Sequence, residues 1–409
     1  MWSKYFNNEN IVKMNSNWIS PKIIIGNHAT GEFYYPRPHL EYLIWEEIEK
    51  GNHVLITAPR RVGKTSVMLA MTRSCPKDTQ CIFRDIEGIK SDNEFFKQFF
   101  ELLVQCLGKF DKGKKWLTDF LKGINVEEVS AEGTIKFGDR KQPDYLSEIS
   151  HLLMKLQSNG VKLVICLDEL PQVLGNLHKV GKNEEAENIL SHLREWRQNA
   201  NHKHHFSLVL AGSVGIHHIV KTIGGRVADI NDLRTIPFEP LTQEEADGYL
   251  KWATDGATIQ LSTELGEYLL SKVNYYIPFF INLLLDEINK AARKINDPVI
   301  NKENVDAAFE QVVKNSDHFR DWKLRLTEYF SKEDADFLQE TLIFIAHKEA
   351  ITLPQLYNLA IKHKVEDRYM ELMQGLERDG YVVEKNSRFH FLSPFLKAFW
   401  KKDNPVYGN

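Results

Sequence analysis

The sequence predicts an α/β protein: a parallel sheet flanked by helices, then an all-helical stretch, then a small unit of helices and two strands. Three observations predict it. Short apolar, strand-like runs alternate with helical patterns over the first two thirds of the chain, as a doubly wound sheet requires. Beyond Phe238 the strand patterns give way to helical ones. From about Thr327 a third pattern begins, in which helices lead to two short strands separated by turn residues.

The sheet strands are expected at His53–Thr57, Cys81–Ile86, Val161–Leu167, Phe206–Ala211 and Thr235–Phe238. Between the second and third lies an insertion, about 91–150, that exceeds a minimal α/β unit. It holds a helix around Asn93–Leu107, the patch Lys109, Lys112, Lys114, Lys115 and Trp116, and a hairpin-like segment, "AEGTIKFGDR". The lysines read as a solvated surface. The helical stretch opens with "PLTQEEADGYL", where Thr242 and Glu245 form a capping box that satisfies free N–H groups at a helix start. Helical patterns follow at Leu265–Val273, Phe279–Lys294 and Glu303–Lys314. In the last part, helices around Asp334–His347 and Pro354–His363 precede "EDRYMELMQGLERDG". There Tyr369, Met373 and Leu376 share one face, and Gly380 suits a helix C-terminus. The strands "YVVE" and "RFHFL", joined through Asn386 and Ser387, complete a winged helix-turn-helix. The expected division is an N-terminal extension over 1–26, a sheet domain over 27–240, a helical lid domain over 241–322 and a winged-helix domain over 323–409.

A chain of 409 residues is too long for one ordinary core. Its 43% hydrophobic and 26% charged residues are typical of a globular protein. The 52 basic and 56 acidic residues leave a formal charge of -4, so nucleic-acid contact would need a local patch. No long apolar run exists and the Asn-rich opening lacks a signal-peptide core, so the expected location is the cytoplasm, with no membrane contact. The four cysteines show no CxxC spacing and read as reduced structural thiols. His202, His204 and His205 lack a second ligand group and read as a solvated loop.

The chemistry concentrates in "APRRVGKTS", residues 58–66. A phosphate-binding loop needs inward N–H groups, a cation for the terminal phosphates and a hydroxyl for Mg²⁺. Gly63 lets the backbone curl, Lys64 supplies the cation and Thr65 the Mg²⁺ ligand. The loop follows the strand "HVLIT" and opens a helix, whose N-terminus favours anions. Pro59, Arg60, Arg61, Val62, Gly63, Lys64, Thr65 and Ser66 are therefore the expected nucleotide-binding residues. Ala58 stands where the first glycine of the pattern would be, and its methyl is tolerated if φ stays negative.

"VKLVICLDEL", residues 161–170, supplies the second half. Asp168 at the strand tip would hold Mg²⁺ through water, beside the phosphate loop of a neighbouring strand, and Glu169 would polarise the attacking water. Ser213, after "SLVLAG", either contacts the γ-phosphate or is a turn serine. Arg226 either stabilises transition-state charge, in cis or from a neighbouring subunit, or is a surface arginine.

With these residues, nearly the whole chain resembles the prokaryotic P-loop ATPases of the STAND and archaeal-ATPase group within the AAA+ superclass. "EFYYPRPHLEYLIWEEIEKGNHVLITAPRRVGKTS" is similar to the group's entry segment, with Phe33 or Tyr34 and Arg37 ahead of a helix and a Pro-Arg-Arg loop. "CLDEL", "AGS" and "GGR" are similar to its second carboxylate motif, sensor strand and Gly-Arg element, and the C-terminal "LERDGYVVEKNSRFHFLSPFLKAFW" resembles its winged helix. The resemblance implies a Gly-x-Pro element near the nucleotide base; here Pro278 is retained and Tyr276 replaces the glycine.

The expected protein is an ATPase with ATP and Mg²⁺ as cofactors, working as a nucleotide-driven switch. The resemblance implies signalling or anti-phage defence with a separate protein effector, and leaves homo-oligomerisation open. The alternative is an ATP-regulated DNA-binding protein acting through the winged helix. Residues 366–379 disfavour it, because Glu366, Asp367, Glu371, Glu377 and Asp379 outnumber Arg368 and Arg378 where a groove-reading helix should be basic. Packing on the chain's own core or on a protein partner is the expectation, with Lys397, Lys401 and Lys402 leaving a wing-side DNA contact open.

Overall fold

A computed structural model describes residues 17–108, 114–124, 126–129, 135–137, 143–158, 160–212, 216–315 and 317–406. In chain order the strands are β1 (Val54–Thr57), β2 (Thr79–Asp85), β3 (Val126–Val129), β4 (Ile135–Phe137), β5 (Lys162–Asp168), β6 (Phe206–Gly212), β7 (Arg234–Pro237), β8 (Ile351–Thr352), β9 (Val382–Lys385) and β10 (Arg388–Phe391). All five expected sheet strands are present, and they pair in parallel in the order β2-β5-β6-β1-β7.

The apolar runs are continuous because both sheet faces are covered. In β5, Leu163, Ile165 and Leu167 enter one core while Val164 and Cys166 enter the other, since successive strand residues point to opposite faces. The first core includes the helices Asp92–Leu107 and Tyr145–Ser158; the second continues through the lid helices into the C-terminal unit. The sheet order corrects one expectation. β6 lies between β1 and β5, so Asp168 sits one strand further from the phosphate loop than expected.

In the insertion, Ser91 caps the helix Asp92–Leu107 by accepting from the Glu94 N–H at 3.1 Å. The expected hairpin is only half inside "AEGTIKFGDR": β4 lies there and pairs antiparallel with the earlier β3. Lys109 and Lys112 lie outside the described residues, and Lys114 and Lys115 begin the helix Lys114–Gly123. Among the expected solvated histidines, His202 is instead buried, with Nδ1 3.2 Å from the Trp196 carbonyl.

The capping box of Thr242 and Glu245 is formed and starts the helix Gln243–Thr254. Helices Thr263–Val273, Pro278–Ile295 and Lys302–Lys314 follow, then Asp317–Tyr329, which the sequence patterns did not separate. The remainder runs Lys332–Lys348, β8, Leu353–His363, Tyr369–Arg378, β9, β10 and Pro394–Asp403. Its sheet has three strands, β8-β10-β9, one more than expected. Asn386 and Ser387 both adopt positive φ, 53° and 58°, as a tight hairpin turn with the right twist demands. Residues ahead of the sheet domain pack along the lid: Lys22 N–H donates to the Ala253 carbonyl and the Trp18 indole to Asn289. No helix among the described residues is long and apolar enough to cross a membrane.

The C-terminal unit rests on the phosphate loop itself. Gly380 has φ +78°, and a Cβ there would lie 2.8 Å from Cβ of Pro59 and 2.9 Å from the Tyr275 hydroxyl. Gly380→Ala should therefore cost about 1–3 kcal/mol, from backbone strain and overpacking together. Urea unfolding of parent and variant measures it, and equal midpoints would contradict the close approach.

Candidate functional site

The site begins where β1 ends. Gly63 has φ 101°, a conformation open to glycine, although a Cβ would meet no neighbour within 4 Å. That turn starts the helix Lys64–Met71, whose first residue is 6% exposed. Lys64 Nζ donates to the carbonyls of Ala58 and Pro59 at 3.0 and 3.1 Å. Burial pulls its pKa down, while the charges of Glu169 and Asp168 oppose that shift.

Thr65 Oγ1 donates to Asp168 Oδ2 at 2.5 Å, across the end of β6. Asp168 is 3% exposed. Burial and then the neighbouring Glu169 raise its pKa, and the Thr65 hydrogen bond and Lys64 counteract them. Glu169 N–H donates to Asp168 Oδ1 at 3.0 Å. Glu169 itself has φ 63°, a left-handed conformation uncommon for its type, at the start of the helix Leu170–Lys179. The turn carries Glu169 out of the strand and into the wall of a cleft.

The cleft is a cavity of about 250 Å³, and besides Glu169 three parts of the chain build it. The loop contributes Arg60, Arg61, Val62, Gly63, Lys64, Thr65 and Ser66; the lid contributes Leu241, Tyr249, Pro278, Phe279 and Asn282. The third wall is the segment before the first helix, Pro38–Glu49, including Ile24, His28, Phe33, Tyr34 and Arg37. Polar bonds hold these walls in register. Ala29 N–H donates to Ser66 Oγ at 3.1 Å, the Tyr249 hydroxyl to Asn282 at 2.7 Å, and the Asn282 amide to the Ile24 carbonyl at 3.1 Å. Arg37 lies 5.3 Å from the Phe238 ring centre and donates to the Glu239 carbonyl at 2.9 Å. The lid and entry side of the cleft is thus mainly aromatic and apolar, with Arg37 among its residues, and the loop side carries Arg60, Arg61 and Lys64.

Of the expected site residues, Arg60 through Ser66, Glu169 and Pro278 line this one cleft, with Asp168 behind Thr65. Pro59 does not line it; the ring faces Gly380. Arg226 is not brought there either. Its side chain is 75% exposed and pairs with Asp229 at 3.6 Å. Ser213 lies outside the described residues.

Sequence reasoning missed the acids and the arginine that the C-terminal unit adds. Asp321, on the helix Asp317–Tyr329, lies 3.6 Å from Arg60 and 3.9 Å from Arg61, and Arg61 also stacks 4.3 Å over the Phe279 ring centre. Arg325, one turn further on, is 8% exposed and shares a small cavity with Arg60, Asp379 and Tyr381. Burial pushes the Asp379 carboxyl up to about 7, against the pull of Arg325, Arg378 and Lys64. The i,i+4 spacing of Asp321 and Arg325 put them on one helix face. No local pattern linked that face to the loop.

The fold is that of P-loop NTPases. The Walker-type ATPase PABY2304 of Pyrococcus abyssi is similar at 15% identity over 91% of this chain and 98% of its own, with a TM-score of 0.56. The ORC2 protein of Aeropyrum pernix, solved as ADPNP–ADP complexes, is similar at 13% identity over 90% and 91% of the two chains, with a TM-score of 0.51. No protein-family model and no curated protein matches the sequence.

The raised Asp379 carboxyl sets a pH dependence of stability. Between its unfolded value, ~3.9, and about 7, the folded chain keeps a proton that the unfolded chain has lost. This contribution to stability therefore falls as pH rises through that window and is constant above it. Asp379→Asn should gain stability relative to the parent between pH 5 and pH 8 in urea melts. A parent-to-variant difference that does not change with pH would contradict it.

Proposed function

We propose that the chain binds ATP with Mg²⁺ in this cleft, hydrolyses it, and uses the cycle to change how its lid and C-terminal unit sit on the sheet domain. The observation that carries the reading is the 2.5 Å contact of Thr65 with Asp168 in a site that also holds Lys64 and Glu169. A hydroxyl and a carboxylate are hard oxygen donors, which suit Mg²⁺. Among the described residues no group of three or more His, Cys, Asp or Glu could hold a metal by itself, so phosphate and water oxygens would complete the shell. The ion would supply neutralisation of charge on the β- and γ-phosphates.

The chain's own residues do the rest. Lys64 and the loop N–H groups hold the phosphates, with Arg60 and Arg61 flanking them, and the helix Lys64–Met71 adds the favourable field of its N-terminus. Glu169, displaced from the strand by its left-handed turn, accepts a proton from the attacking water. The apolar end, with Tyr34, Tyr249 and Pro278, takes the base. Arg226, exposed and away from the cleft, fits the contribution of one subunit to a neighbour's site. The domain division of 27–240, 241–322 and 323–409 goes with this reading once its last boundary is moved ahead of the helix Asp317–Tyr329, which a cut at 322 would split, as does a cytoplasmic location.

The C-terminal unit is read as a winged helix that serves the switch rather than DNA. From the acidic stretch 366–379, Glu371 pairs at the surface with Lys221 of the sheet domain at 3.0 Å, and Leu372, Met373 and Leu376 are buried. Lys397 pairs with Glu349, and Lys402 donates to the carbonyls of Val313 and Lys314 at 3.2 and 2.9 Å. Two of the three lysines offered for a wing-side DNA contact are thereby engaged within the chain. A separate protein receives the output; signalling or defence as its setting rests on the group resemblance alone.

Lys64→Ala should abolish ATP binding in isothermal titration. Glu169→Gln should bind ATP like the parent but turn over ~10²–10⁴-fold more slowly; parental turnover would remove Glu169 as the base. Arg226→Ala subunits mixed with parent should lower the parent's activity, whereas additive activities would leave Arg226 a surface residue.

A further inference from the structure

Resting on the nucleotide reading above, we propose that Asp321 is a specificity-determining residue, a resident carboxylate that competes with the terminal phosphate of the nucleotide for Arg60 and Arg61. Both arginines line the cleft, and both face Asp321, at 3.6 and 3.9 Å. A guanidinium donates to carboxylate and phosphate oxygens in the same fork geometry, so one anion can replace the other.

The local charge explains why an anion is needed at all. Burial lowers the pKa of Arg60, and the positive charge of Arg325 lowers it further; Arg61 is lowered by burial and by Arg60. Asp321 opposes both shifts. It does so weakly, because its side chain is 53% exposed and both pairs are long. A weak, half-solvated pair is one that a more highly charged phosphate displaces.

Displacement would be felt beyond the loop. On the same helix as Asp321, Trp322 accepts the Tyr381 hydroxyl on its carbonyl at 2.7 Å, and Phe319 stacks on Phe395 at 6.3 Å between ring centres. Tyr381 follows Gly380, the residue against Pro59. Release of Asp321 therefore bears on the helix that ties the C-terminal unit to the loop. By reciprocity, whatever the phosphate spends on displacing Asp321 is missing from its affinity.

The test titrates full-length parent, Asp321→Asn and Asp321→Glu with Mg·ATPγS and with Mg·ADP by isothermal calorimetry. Asp321→Asn should bind Mg·ATPγS ~3–10-fold tighter than the parent, with a smaller gain for Mg·ADP, and Asp321→Glu should remain near the parent. Equal or weaker ATPγS binding by Asp321→Asn, in a parent that does bind it, overturns the competition and leaves the nucleotide reading intact. Equal gains for both nucleotides overturn the assignment to the terminal phosphate. A parent that binds neither nucleotide overturns the nucleotide reading and this inference together.

Discussion

Positive charge gathered at one loop is the constraint around which the rest of the structure is arranged. Arg60, Arg61 and Lys64 come from the loop and Arg325 from a helix far along the chain, and all four are substantially shielded from water. Charges in such surroundings are costly unless other groups compensate them. The compensation comes from separate elements: Asp168 and Glu169 from the end of β5, Asp321 from the helix Asp317–Tyr329, and Asp379 from the residue after Tyr369–Arg378. Acids from three separate elements converge on the loop, so its electrostatics and the chain's tertiary arrangement are one problem.

The same loop is a mechanical joint. Pro59 abuts Gly380, Arg61 stacks on Phe279 of the lid, and Ser66 accepts from the segment that precedes the first helix. The core beneath is continuous: Phe280 of the lid stacks on Phe395 of the C-terminal unit at 5.2 Å. Closely packed interiors do not deform gradually, so a change of charge at the loop is expressed as a change of packing around it. A nucleotide bound there, as proposed, would have a physical route to the lid and the C-terminal unit without a dedicated signalling segment.

Much of the fold was legible because its signals are local. Five apolar runs bounded by turns became five parallel strands, and Thr242 with Glu245 became a capping box. Gly63, Lys64 and Thr65 stood out because a phosphate loop prescribes residue types at fixed spacing, and all three line the cleft. Signals that depend on distant partners were not. The position of β6 between β1 and β5 is a matter of sheet order, which apolar periodicity does not encode. No sequence pattern singled out Asp321 or Arg325, and Asp379 counted only among the acids that disfavour DNA; their link to the loop appears only when the C-terminal unit folds back on it. Arg226 followed a motif into a position where the chain's own cleft does not reach it.

The central claim is that phosphate binding at the loop alters how the C-terminal unit is held. Amide hydrogen exchange of the full chain, with and without saturating Mg·ATPγS, measures it most directly. Exchange should change in Asp317–Tyr329 and around Gly380 as well as at the loop, and should not change in Lys64→Ala. Protection confined to residues 58–67, with Asp317–Tyr329 and Gly380 unaffected, would contradict it.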